Sequence, residues 1–266
     1  MTTPIKYWQW PNLLAIDAAL IAAAWLWVFN DLQAGHIKVA SYLVLALSVW
    51  LTYVADRLFD VARRSRSELL SHRHQFAKQY SRLLWLVWML VLLFNIRLAL
   101  SSLSEGQLER GWVLLIVCLA YTSLNQLLAK RFFPKELLVA LIFTGGTQVF
   151  LPELSGSITV LAFALSCLAN CLIIANREKV IDNQLKLRSL GSLLPVYCLN
   201  GLFAISLTVC LVSEERALFV PTLIFLALLH LRRNHVEAER FRVLSDLALL
   251  IGPLSYFFIS SGVCFR

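Results

Sequence analysis

Residues 39–60 read VASYLVLALSVWLTYVADRLFD. No charge interrupts the run from Val39 to Val54, and a stretch of this kind approaches the roughly 20 apolar residues that cross a hydrocarbon core. The run then meets Asp56, Arg57 and Asp60, so an apolar helix ends in ionised groups at a membrane edge.

Eight further runs share that character: Asn12 to Phe29, Leu83 to Leu100, Trp112 to Ala129, Leu137 to Leu151, Ile158 to Ala175, Leu190 to Val212, Ala217 to Leu231 and Val243 to Phe265. Hydrophobic residues make up 59% of the 266 and charged residues 15%, with a mean hydropathy of +0.72. That excludes an ordinary soluble domain, a disordered chain and a disulfide scaffold. The expectation is all-α: one integral membrane domain over 1–266, a polytopic bundle of about nine transmembrane helices. The six cysteines lie in apolar runs without a CxxC pair and read as packing residues. No removable signal peptide is expected.

Basic residues set the orientation. With the N-terminus in the cytoplasm, 19 of the 24 Lys and Arg fall in inside segments, as the positive-inside rule requires. The +8 net charge is then a one-sided surface for anionic lipid, with no need of nucleic acid. Two acidic pairs stand out on that side. Asp56 and Asp60 are four apart, on one helical face, and Glu178 and Asp182, within Asn176-Arg177-Glu178-Lys179-Val180-Ile181-Asp182, repeat the spacing. Each pair on its own fits a local salt bridge, to Arg64 or to Arg177 and Lys179. Two pairs at one face, with arginine and lysine around them, suit a magnesium-bridged diphosphate. Magnesium takes one or two carboxylates plus substrate phosphates, and cations hold the remaining charge.

The run Ala55-Asp56-Arg57-Leu58-Phe59-Asp60 resembles the last two aspartates of the NDxxDxxxD motif of UbiA-type intramembrane prenyltransferases, at the end of the second helix. Glu178 to Asp182 is similar to that family's second acidic motif, DxxxD. Lys130, Arg131 and Lys135 are similar to its basic segment between the fourth and fifth helices. Thr52 and Tyr53 stand where the family has Asn and Asp, and Glu178 replaces an Asp.

The resemblance implies a bundle around a central cavity, Mg2+ as cofactor, and prenyl transfer from a polyprenyl diphosphate to an aromatic or other lipophilic acceptor. It implies metal or catalytic roles for Asp56, Asp60, Glu178 and Asp182. It further implies diphosphate contacts from Arg57, Lys130, Arg131 and Lys135, with Arg177 and Asn176 beside the second motif. A membrane transporter or lipid-binding subunit is the alternative. A prokaryotic plasma membrane, with the site facing the cytoplasm, is the expected location.

Asp17 and Asp246 lie within apolar runs. Each is open to two readings, a cavity-lining acid that assists proton transfer from an acceptor, or a carboxylate hydrogen-bonded between helices. Asn170 reads as interhelical glue, Gly145-Gly146 as a packing site, and His72 and His74 as part of a basic polar loop.

Overall fold

The computed structural model describes residues 5–62, 64, 65, 69, 71–128, 133–179 and 190–261, without the side chains of 128 and 192. Among them there is no strand. A 3-10 turn, Tyr7–Gln9, leads into α1 (Trp10–Leu13), α2 (Ile16–Leu32), α3 (Val39–Ala62), α4 (His72–Gln79), α5 (Ser81–Ser102), α6 (Glu105–Leu128) and α7 (Lys135–Val149). There follow α8 (Ser157–Arg177), α9 (Leu190–Leu193), α10 (Val196–Val212), α11 (Arg216–Leu231), α12 (Ala238–Ala248) and α13 (Ile251–Ser260).

As far as its residues are described, each of the nine expected runs falls on a helix or a broken pair of helices. By length and composition, α3, α5, α8 and the Ala238–Ser260 stretch that holds α12 and α13 can each cross a bilayer, and the bent N-terminal segment makes a fifth. Helices α10 and α11 are shorter apolar helices. The 22 residues of α5 extend about 33 Å at about 1.5 Å per residue, a full hydrocarbon thickness. Its surface is apolar and outward-facing. Leu86, Leu90 and Leu93 are exposed, as are Val113, Ile116 and Leu119 on α6, with Ile116 64% exposed. Water would penalise such a surface and lipid does not, so the chain is an integral membrane protein.

The first expected run does not form one straight helix. It breaks at Leu14 and Ala15, and the segments on either side meet at a 72° bend. Ala15 takes a left-handed conformation, φ 56°, which costs an L-residue about 1–2 kcal/mol. The break frees carbonyls that the apolar interior cannot hydrate, and α3 supplies their donors. The Arg57 guanidinium donates to the Asn12 and Leu13 carbonyls at 2.6 and 2.9 Å, and the Trp50 indole donates to the Leu14 carbonyl at 2.9 Å.

A second break, between α12 and α13, is met from α2. The fully buried Trp25 donates its indole N–H to the Leu249 carbonyl at 2.8 Å. It lies parallel to Phe219 at 5.3 Å and packs on Phe163 at 4.5 Å, so this ring organises the main core. Gly252 allows the approach, since a Cβ there would stand 2.6 Å from the Trp25 ring.

Helices α2, α3, α7, α8, α11 and α12 surround the interior, with α5 and α6 outside α3 and α7. The His72–His74 stretch is helical, contrary to the expected polar loop. In α4, Arg73, His74 and Ala77 share a buried face. Ala77 packs with Val61 and Leu69, and Phe76 meets Trp10 edge-on at 6.0 Å. These contacts lay α4 across the bundle end at which α3 and α8 finish and α12 begins.

Candidate functional site

Tyr53, Asp56 and Asp60 lie at i, i+3 and i+7 of α3 and share a face of it. Tyr53 lines an interior cavity of about 20 Å³ with Ala18, Phe143, Cys167, Asn170 and Asp246. Asp56 follows one turn later, about 4.5 Å along the axis, and Asp60 another turn on at the bundle end. One face of one helix therefore runs from the cavity to the acidic pair.

Around that pair the structure gathers polar groups from three other elements. The Asn125 amide of α6 donates to the Asp56 carboxylate at 3.5 Å, the limit of a hydrogen bond. Lys135 at the start of α7, and Arg73 and His74 of α4, are within electrostatic reach of Asp56. His74 approaches Asp60 at 3.7 Å and shares a 2.7 Å hydrogen bond with the Ser71 hydroxyl. Burial, aided by the charges of Arg73 and Arg57, pulls the His74 imidazole well below its usual range. It is therefore neutral at pH 7, and its contact with Asp60 is not an ion pair.

Glu178 has a different environment. It is buried, just past the end of α8, and two arginines from elsewhere in the chain reach it. Arg73 pairs with it in a forked arrangement at 3.0 and 3.4 Å, and Arg242 of α12 spans both its oxygens at 2.9 and 3.1 Å. Burial pulls the Arg73 guanidinium down, and Glu178, with Glu239 and Asp246 behind it, more than offsets this, so the cation is held charged. Where the sequence suggested local partners for Glu178, Arg177 or Lys179, the fold brings two long-range ones to it. A dication bound at this carboxylate would face two guanidinium groups, a poor electrostatic fit.

Other expected site residues occupy supporting positions. Arg57 is buried and directed at the α1 carbonyls. Arg177 donates to the Val236 carbonyl at 3.0 Å, and Asn176 to the Gly191 carbonyl at 3.1 Å. Lys130, Arg131 and Asp182 lie outside the described residues.

The sequence reading missed Asn12, Asn125, Glu136, Arg73 as an ion-pair partner, and Arg242. Glu136 caps α9 by accepting from the Leu190 and Gly191 amides, each at 3.1 Å. A buried acid in the first turn of a helix was the available signal for Glu136, and an amide within an apolar helix the signal for Asn125. Nothing local marks Arg73 or Arg242, because their roles depend on contacts remote in sequence.

Among the described residues, no cluster of three or more His, Cys, Asp or Glu could hold a metal ion by protein ligands alone. Asp56 and Asp60 together form a two-carboxylate, all-oxygen set. That fits a magnesium ion whose remaining ligands are phosphate oxygens and water.

The sequence matches no family model and no curated protein. Among solved structures, the chain is similar to the apo structure of a UbiA homolog from Aeropyrum pernix K1, with a TM-score of 0.65 and 13% identity over 92% of this chain and 98% of that one. The bundle thus has a UbiA-type fold, as the acidic motifs suggested.

Proposed function

We propose that this chain is a membrane-embedded prenyltransferase that moves a prenyl group from a polyprenyl diphosphate to a lipophilic acceptor. In this reading it works at the cytoplasmic face of a prokaryotic plasma membrane. The observation that carries the proposal is the single α3 face from Tyr53 at the cavity to Asp56 and Asp60 at the bundle end, on a UbiA-type fold.

Asp56 and Asp60 would hold Mg2+, which when bound neutralises diphosphate charge as the allylic carbon–oxygen bond ionises. Lys135 and Arg73 add positive charge beside them and favour a diphosphate over its uncharged precursor. Lys130 and Arg131 extend that cationic edge in sequence, and Asp182 would complete the acidic set. Glu178 acts here as a positioning residue that fixes Arg73 and Arg242. The apolar cavity walls exclude water from the carbocation, which would otherwise be hydrolysed. Arg57 sets the α1–α2 break rather than the diphosphate.

Two observations favour a second reading. Glu178 is already neutralised by two arginines, and the first motif lacks its Asn and Asp at Thr52 and Tyr53. A bundle that has lost the second metal position would serve as a lipid-binding subunit or transporter.

Binding of radiolabelled geranyl, farnesyl and geranylgeranyl diphosphates to the purified protein separates the two. The transferase reading expects saturable, EDTA-sensitive binding that disappears in Asp56→Asn/Asp60→Asn. Absence of binding at every chain length by a folded sample would give the lead to the non-catalytic reading.

A further inference from the structure

Asp17 and Asp246 form a buried carboxylate pair that the diphosphate site does not use. The single amide nitrogen of Asn12 donates to both, at 2.8 Å to Asp17 and 3.1 Å to Asp246. Their nearest oxygens therefore lie within about 6 Å of each other. Asp17 also accepts from the Ala18 backbone at 2.9 Å, and Asp246 from the Asn170 amide at 3.2 Å. Two carboxylates have more acceptor capacity than these few donors fill, and an apolar bundle is a costly place to leave it unused.

An independent observation points to a ligand. Asn170 is 4% exposed and lines the cavity beside Asp246, yet its side-chain oxygen has no hydrogen-bond partner among the described residues. With Asp246 ionised, an amide flip would not relieve this, because it would turn the oxygen towards the carboxylate and lose the bond that orients the side chain. The cavity therefore presents a carboxylate and a free carbonyl oxygen, both acceptors. Its remaining walls, which include Ile21, Val139, Phe143 and Leu249, are apolar. A volume of about 20 Å³ admits one water-sized group.

We propose that this cavity binds the hydrogen-bond-donating head, a hydroxyl or an amine, of a lipophilic acceptor, and that the Asp17–Asp246 pair receives the proton it releases. This deepens the prenyltransferase reading and rests on it. Tyr53 lines the cavity one helical turn before Asp56, which brings the head group close to the carbon attached to a diphosphate at Asp56 and Asp60. In the transfer the allylic carbon–oxygen bond breaks and its electron pair leaves with the diphosphate. A new bond forms between that carbon and the oxygen or nitrogen of the head group, and the head group's proton passes to the carboxylate pair.

The test uses the full chain in lipid nanodiscs and two probes of closely matched shape, 4-nonylphenol, which donates a hydrogen bond, and 1-fluoro-4-nonylbenzene, which cannot. Saturation binding is measured above that of empty discs. The expected result is a preference of about tenfold or more for the phenol, of the size a hydrogen bond to a charged acceptor confers. Asp246→Asn and the nearly isosteric Asn170→Leu should each remove most of it.

Equal binding of the two probes, or a preference that survives in both folded variants, would mean that a trapped water satisfies Asn170, and it overturns the proposal. If Asp246→Asn does not fold, the wild-type ratio and Asn170→Leu decide the matter. Binding of farnesyl diphosphate with magnesium is measured on the same discs. Phenol preference without diphosphate binding keeps the donor site and overturns its part in transfer. Diphosphate binding without phenol preference overturns this inference and leaves the transferase reading intact.

Discussion

Replacing Glu178 with Gln separates its two candidate roles. Glu178 and Arg73 are each 8% exposed, and Arg242 is only partly exposed. The carboxylate accepts from both guanidinium groups at 2.9–3.4 Å. Glu178→Gln keeps the shape and removes the charge, leaving two guanidinium groups around one neutral amide. Breaking a buried ion pair on one side costs about 3–5 kcal/mol, and the partial exposure of Arg242 puts the expectation near the lower end, about 3 kcal/mol. Adding Arg242→Met removes the excess cation, lets the amide oxygen serve Arg73 alone, and should recover about half of that loss. The assay is equilibrium unfolding in mixed detergent micelles, run on wild type, both single variants and the double variant, together with magnesium-dependent binding of farnesyl diphosphate. A loss below about 1 kcal/mol for Glu178→Gln, with diphosphate binding abolished, would refute the clamp and return Glu178 to the metal site.

Two further expectations concern the breaks that shape the interior. Gly252→Ala should lower stability by about 1–3 kcal/mol by overpacking, because the new methyl group would meet the Trp25 ring at 2.6 Å and the Leu218 carbonyl at 3.1 Å; an unchanged midpoint in the same unfolding assay would show that the ring yields freely. Arg57→Met should cost about 1–3 kcal/mol by removing the guanidinium donor of the Leu13 carbonyl and leaving the Asn12 carbonyl only the Ala15 amide. It should spare diphosphate binding in proportion to the folded fraction, whereas full stability with binding lost would make Arg57 a diphosphate contact after all.

The membrane character and helical content were legible in the sequence because both follow from local quantities. Long uncharged runs need no tertiary partner to be recognised, and a backbone in hydrocarbon must satisfy its own hydrogen bonds, which a helix does within one segment. The i, i+4 spacing put Asp56 and Asp60 on one face for the same reason. That spacing also made Glu178 look like a second copy of the pair.

What surrounds a carboxylate is a different kind of fact. Arg73 and Arg242 reach Glu178 across separations of 105 and 64 residues, and Asn12 reaches Asp246 across 234. The same holds for the helix breaks. Nothing in Asn12-Leu13-Leu14-Ala15 forbids a continuous helix; the bend is tolerated because Arg57 and Trp50 of α3 satisfy the freed carbonyls. Local pattern therefore determined that this chain is a helical membrane bundle with acids at one end. Only the tertiary packing decided which acids are held by arginine and which line a cavity, because a charge buried in apolar surroundings takes its role from whichever distant side chain the fold brings to it.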